Sequence, residues 1–212
     1  MKLKFLTYLI VICMISCADN TAKTELMSEL PVLGIPNQEG KEHTIKEFEF
    51  KNVLGGTLAS SDLKGQVYLT EFFYSSCPSV CPKVGEQMIK VYEELKDKEG
   101  FSMLSITLDS EYDDAEKLKE HIAKIGFVQK PKNWFFLRGD KEETYKLARE
   151  SFYTPIKELL NTDREIIHDG VLVLVDGQGH IRGMYDGMDA GSVLKIKNDV
   201  KFLLTNTSEQ KI

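Results

Sequence analysis

Two cysteines, Cys77 and Cys81, stand four positions apart in the stretch FFYSSCPSVCPKV, residues 72–84, and each is followed by a proline. A thiolate is a nucleophile, a redox group and a soft metal ligand. A pair at this spacing can therefore close a disulfide, act as a redox couple or grip a metal ion. An apolar run precedes the pair and a helical pattern follows it, so both sulfurs fall at a strand-to-helix junction. Free N–H groups and the partial positive charge of a helix N-terminus favour thiolate over thiol. An ordinary cysteine titrates near ~8.5, and this location lowers that value. Pro82 inside the first turn is tolerated, because the missing N–H would have had no helical partner. With Cys77 at or just before the first turn, Cys81 lies one turn on, and side chains so spaced on a helix sit about 5–6 Å apart at Cβ. A purely structural disulfide is the bland alternative, and so short a loop closes little chain entropy.

Two sulfurs do not complete a metal site. The chain has four histidines. His43 in a polar approach and His121 on the charged helix face KEHIAK read as solvated, and His180 follows a Gly-Gln-Gly turn on a hairpin. His168 differs, because REIIHDG runs directly into the apolar strand VLVLV. Strand ends in a layered α/β sheet gather near its active edge, so this histidine can face the cysteine helix; the alternative is an ordinary loop histidine. Two thiolates and one imidazole make three ligands. Structural zinc wants four and iron–sulfur clusters want more thiolates, whereas copper accepts thiolate and imidazole together.

These groups need a scaffold. FEF and LGG (48–56) suggest a small hairpin, and residues 62–65 a turn. QVYLTEFF (66–73) reads as a strand. Val80, Val84, Met88, Val91 and Leu95 then fall on one helical stripe that ends near Gly100. FSMLSITL (101–108) reads as a doubly buried strand. An amphipathic helix over 113–125, a strand NWFFL (133–137) and a helix over 141–152 follow. VLVLV (171–175), the turn at 176–179 and HIRGMYD (180–186) make a late hairpin before a last helix over about 190–204. This order predicts an α/β layered sheet, parallel where helices cross over and antiparallel at the late hairpin.

The 212 residues suit one domain plus appendages. A net charge of −6 gives no support to nucleic-acid binding. The N-terminus looks separate from the fold. A basic start, Met1–Lys4, leads into FLTYLIVICMIS and then Cys17, after which the chain turns polar. The apolar run is short for a membrane span, which needs about 20 residues, and suits a secretory h-region. An apolar run ending in a small residue and Cys resembles a bacterial lipoprotein signal, with Cys17 as the lipidated first residue, although Met14 replaces the usual leucine. We expect a signal peptide over 1–17, a polar tether over 18–44, a folded domain over 45–207 and a tail over 208–212. The domain would then lie outside the cytoplasm, on the periplasmic side, held to a bacterial membrane by lipid; the alternative is a plain uncleaved N-terminal anchor, which places the domain on the same side. Removal of Cys13 and capping of Cys17 would leave Cys77 and Cys81 as the free thiols of the mature chain.

FFYSSCPSVCP resembles the copper-site motif of the Sco/SenC family, whose members have a thioredoxin-like fold. The likeness continues in ITLDSEYDD (106–114), similar to a family strand with an acidic loop, and in IIHDGVLVLVDGQGHIRGMYDG (166–187), similar to its metal-binding histidine, strand and hairpin. It spans roughly residues 45–205. The resemblance implies Cys77, Cys81 and His168 as ligands for Cu(I), with Cu(II) left open. It implies a disulfide between the cysteines when oxidised. It also places the acidic loop on Asp109 and Asp113, as supports behind the ligands or as groups facing a partner. Ser110 and Tyr112 depart from the proline and arginine usual there, and a solvated loop with a helix cap is the alternative. The implied function is copper delivery to the binuclear copper centre of cytochrome c oxidase during assembly. The implied partners are its copper-accepting subunit and a thiol-disulfide reductant.

The competing reading is a tethered thiol-disulfide oxidoreductase, for which His168 would matter little. A thiol peroxidase would place Ser or Thr three residues before the reactive cysteine; Tyr74 and Pro78 hold those positions. Gly177, Gly179 and Gly183 lie in a hairpin, not at a nucleotide-binding strand-to-helix turn.

Overall fold

Alternating apolar runs and amphipathic stripes fold into a seven-stranded sheet with helices packed on it. The computed structural model describes residues 30–127, 130–158 and 166–209. The expected signal peptide, Cys17 and residues 18–29 of the expected tether lie outside the described residues. In chain order the elements are β1 (Glu49–Asn52), β2 (Thr57–Ala59), β3 (Val67–Phe73), α1 (Val80–Leu95), β4 (Phe101–Thr107), α2 (Ala115–Lys124) and β5 (Trp134–Arg138). They continue with α3 (Lys141–Glu150), β6 (Ile156–Glu158), β7 (Ile166–His168), β8 (Val171–Val175), β9 (Ile181–Asp186) and α4 (Gly191–Glu209).

The sheet order is β2-β1-β5-β4-β3-β8-β9. β3, β4 and β5 run parallel because α1 and α2 cross over between them. β8 returns antiparallel to β3, and β9 antiparallel to β8. This is the expected thioredoxin-like layering, with its N-terminal and late hairpins in place. All seven residues of β3 and all seven of β4 are buried, as their near-continuous apolar runs require. α1 buries Val84, Met88, Val91 and Leu95. It packs beside α4, whose Ile196, Val200 and Leu203 are buried. Each such side chain contributes roughly 1.5–3 kcal/mol of burial, which keeps the N-terminal end of α1 in place.

Helix starts follow side-chain chemistry. The Asp114 carboxylate accepts from the N–H groups of Glu116 and Lys117 at the start of α2. Asp140 does the same for Glu143 in α3. At the late hairpin, the Asp176 carboxylate accepts from the N–H groups of Gln178 and His180 and from Arg182 Nη1.

Three sequence expectations change. First, the segment before residue 45 is not all tether. Leu33 bridges to Ile181, His43 Nε2 donates to the Ser151 carbonyl at 2.7 Å, and the His43 ring packs on Tyr153. Second, His121 is not solvated, since its ring stacks on Phe73 with centroids 5.1 Å apart. Burial holds its pKa below the usual imidazole value. Third, residues 166–168 form a strand and not a loop. β7 pairs antiparallel with β6, with Ile156 opposite His168, in a ribbon separate from the main sheet. Strands of three residues carry too little periodicity to be read from sequence.

Candidate metal centre

β3 delivers the chain to Tyr74, and a tight turn follows in which the Cys77 N–H donates to the Tyr74 carbonyl at 3.2 Å. α1 begins at Val80 with Ser79 as its N-cap residue. Cys77 therefore lies ahead of the helix, Cys81 lies inside its first turn, and Pro82 follows where its missing N–H costs nothing. The two sulfurs approach each other because the turn folds back, not because they share a helical face. The Cys81 N–H points at Cys77 Sγ, 3.4 Å away.

His168 ends β7 and turns its Nε2 toward both sulfurs, at 3.8 Å from Cys77 Sγ and 3.2 Å from Cys81 Sγ. The three ligand atoms lie within 4.8 Å of one another. The residues are only 8%, 7% and 7% exposed, so an ion held there is shielded from water. Both cysteines are free thiols. The Tyr74 ring meets the imidazole edge to face, with centroids 5.6 Å apart.

The electrostatics distinguish the sulfurs. Cys77 is held well below the ordinary thiol range, first by a hydrogen bond from the Cys81 thiol, then by His168 and by the N–H groups of Cys81 and Ser79. Cys81 is pushed up, first by sharing its proton with Cys77 and then by burial. The two sulfurs titrate as a coupled pair, with Cys77 shifted down and Cys81 shifted up.

Of the two acidic-loop residues, Asp113 is fully buried and braces the cysteine turn from beneath. It accepts from the Ser75 N–H at 3.0 Å, from the Ser75 hydroxyl and from the Thr107 hydroxyl. Asp109 is 5% exposed and accepts from the Tyr112 N–H at 3.3 Å. Burial overturns the solvated-loop alternative for both. The helix cap belongs to their neighbour Asp114.

Glu71, a carboxylate inside β3, escaped the sequence reading. Its side chain accepts from the Ser105 hydroxyl, which in turn accepts from Trp134 Nε1 at 2.8 Å. Burial pushes its pKa up to about 7, opposed by the Ser105 hydrogen bond and by His168. The signal was present, since a charged residue within an otherwise apolar central strand must be paired or protonated. Tyr74 was noticed only as a mismatch to peroxidases, and its place against His168 needs the fold.

Soft thiolates with an imidazole, buried and three in number, suit a soft monovalent ion such as Cu(I). The chain is similar to known proteins in sequence and fold. A structure of a SCO1/SenC family lipoprotein from Bacillus anthracis is 28% identical, with a TM-score of 0.68, covering 76% of this chain and 95% of that one. BsSco, a member of the Sco family of cytochrome c oxidase assembly proteins with an identified disulfide switch, is 28% identical, with a TM-score of 0.67 and coverage of 77% and 94%. Yeast Sco1 with copper bound shares the fold at 24% identity and a TM-score of 0.58, over 75% of this chain and 89% of that one. The SCO1/SenC family model matches residues 36–204, and the chain belongs to that family.

Proposed function

We propose that this protein is an extracytoplasmic copper carrier, tethered to the membrane through Cys17, which delivers copper to the binuclear centre of cytochrome c oxidase during its assembly. The observation that carries the reading is the convergence of Cys77, Cys81 and His168 from two separate parts of the chain around one point. In this reading the ion is cargo. Binding requires both thiols reduced and expels the proton that the sulfurs share. Hydrogen bonds from the Cys81 thiol, His168 and nearby N–H groups hold the Cys77 thiol below its ordinary range, which favours loading of the ion. Three ligands leave room for an incoming thiolate of the copper-accepting subunit, so the ion can be handed on without release to solvent. BsSco and copper-bound yeast Sco1 support the assignment by kinship.

The test is metal analysis of the reduced protein against a competing Cu(I) chelator. One Cu(I) per chain is expected, weakened in His168→Ala and lost in Cys77→Ser/Cys81→Ser. Failure of the reduced wild-type protein to hold copper would sink the carrier reading.

A second reading follows from the paired sulfurs. The Cys77 thiolate attacks a disulfide of an envelope protein and releases one partner thiolate, which takes a proton. Cys81 then resolves the mixed disulfide, leaving Cys77–Cys81 oxidised and the partner carrying two thiols. An external thiol reductant restores the pair. Full function of His168→Ala in oxidase assembly would favour this reading over copper carriage.

A further inference from the structure

The β7–β8 turn that carries His168 lies directly against α1, and glycines occupy the points of closest approach. Gly170, two residues beyond His168, has φ +68, a left-handed conformation that side chains disfavour. A Cβ on Gly170 would stand 2.7 Å from Val80 Cγ1 and 3.0 Å from Val84 Cγ2. Val80 directly precedes Cys81, and Val84 is buried one turn further along α1. Gly187 closes the other side. Its N–H donates to the Gly170 carbonyl at 3.0 Å. A Cβ on Gly187 would stand 2.4 Å from that carbonyl oxygen and 3.0 Å from Val84 Cγ1. Neither glycine has room for one methyl group.

We propose that Gly170 and Gly187 form a side-chain-free seat that presses the histidine arm onto the cysteine helix and thereby sets the distance from the His168 imidazole to the two sulfurs. The proposal rests on the reading of these three residues as the copper site. The seat acts through position alone. β7 belongs to a ribbon outside the main sheet, so the sheet ladder does not fix His168. Pairing with β6 and the Tyr74 ring hold the arm on other sides, and the contact with α1 adds the constraint on its approach to the cysteine helix. A methyl at residue 170 meets side-chain carbons that can yield, whereas a methyl at residue 187 meets a backbone carbonyl that cannot. Either shifts the Gly170 backbone, two residues from His168, and so changes the 3.2 Å and 3.8 Å separations.

The experiment is a double-mutant cycle between the seat and the histidine. In reduced protein, Gly170→Ala is expected to weaken Cu(I) binding by about 10–100-fold, the range for groups that orient a metal ligand. A cooperative thermal transition should be retained. In the His168→Ala background the same substitution should cause no further loss. Val80→Ala/Gly170→Ala should recover part of the affinity, because the nearest obstructing atom is gone, and it serves in place of Gly170→Ala should that chain fold poorly. Without metal, nuclear Overhauser contacts between the His168 ring and the Cys81 methylene protons should weaken in Gly170→Ala relative to wild type. Wild-type affinity and wild-type His168–Cys81 contacts in Gly170→Ala, or equal losses of affinity in both backgrounds, would overturn the seat. Absence of copper uptake by the wild type would instead remove the copper reading, and the His168–Cys81 contacts in metal-free protein would still decide the seat.

Discussion

The two sulfurs and the imidazole are held by different means. The cysteine turn is braced through polar contacts. Ser75 is tied to Asp113 by both its N–H and its hydroxyl, Thr107 anchors the same carboxylate, and the Cys81 N–H points at Cys77 Sγ. The histidine arm is braced by backbone and by shape: its ladder with β6, the Gly187 N–H on the Gly170 carbonyl, the close fit of both glycines on α1 and the Tyr74 ring against the imidazole. Hydrogen bonds fix direction and charge, and packing fixes only distance. A rigid thiolate pair facing an imidazole held by packing suits an ion that must be gripped and then surrendered.

This contrast can be broken from either side. The largest effect is expected at the sulfurs, since Cys77→Ser or Cys81→Ser leaves two ligands and should abolish stoichiometric Cu(I) retention against a chelator. Asp113→Ala comes next. It strips partners from buried donors on Ser75 and Thr107, and should lower unfolding stability by roughly 4 kcal/mol in a urea titration. It should also disorder the cysteine turn. Unchanged stability would show that the brace is not where the turn gets its shape.

Glu71 offers a test through pH. Its folded pKa, about 7, lies above the unfolded carboxylate value. Protonated Glu71 therefore stabilises the fold below the unfolded value near ~4.3, and that contribution fades as pH rises through about 7. Glu71→Gln should flatten the pH dependence of urea stability between those limits, by up to roughly 3 kcal/mol. An identical profile in the variant would refute the raised pKa. The smallest effect is expected at His121, whose lowered pKa comes from burial against Phe73. Its folded value lies below the unfolded one, so the neutral ring stabilises above the unfolded pKa and the contribution is lost as pH falls. His121→Phe should therefore cost less than about 1 kcal/mol at pH 8 and gain relative stability under acid.

Much of the site is legible without coordinates on the cysteine side. An apolar strand, two cysteines and an amphipathic helix follow one another within one short stretch, so local periodicity places both sulfurs at a strand-to-helix junction. Pro82 marks the helix start to within a residue or two. Asp109 and Asp113 are legible as residues of interest but not as buried ones, because burial depends on Thr107 and Ser75, the latter 38 positions from Asp113. The β6–β7 ribbon is invisible to periodicity. Glu71 stands out only because a charge in a central strand demands an explanation.

The amino-acid sequence by itself determined the α/β order, the strand-to-helix junction and the presence of two soft ligands, because these depend on neighbours a few residues apart. Only the tertiary structure decided that His168 meets them, 91 and 87 positions away. That meeting depends on sheet order, on a ribbon outside the sheet and on two glycines small enough to let backbone touch helix, none of which has a local signature. Distance along the chain carries no information about distance in space until packing closes it.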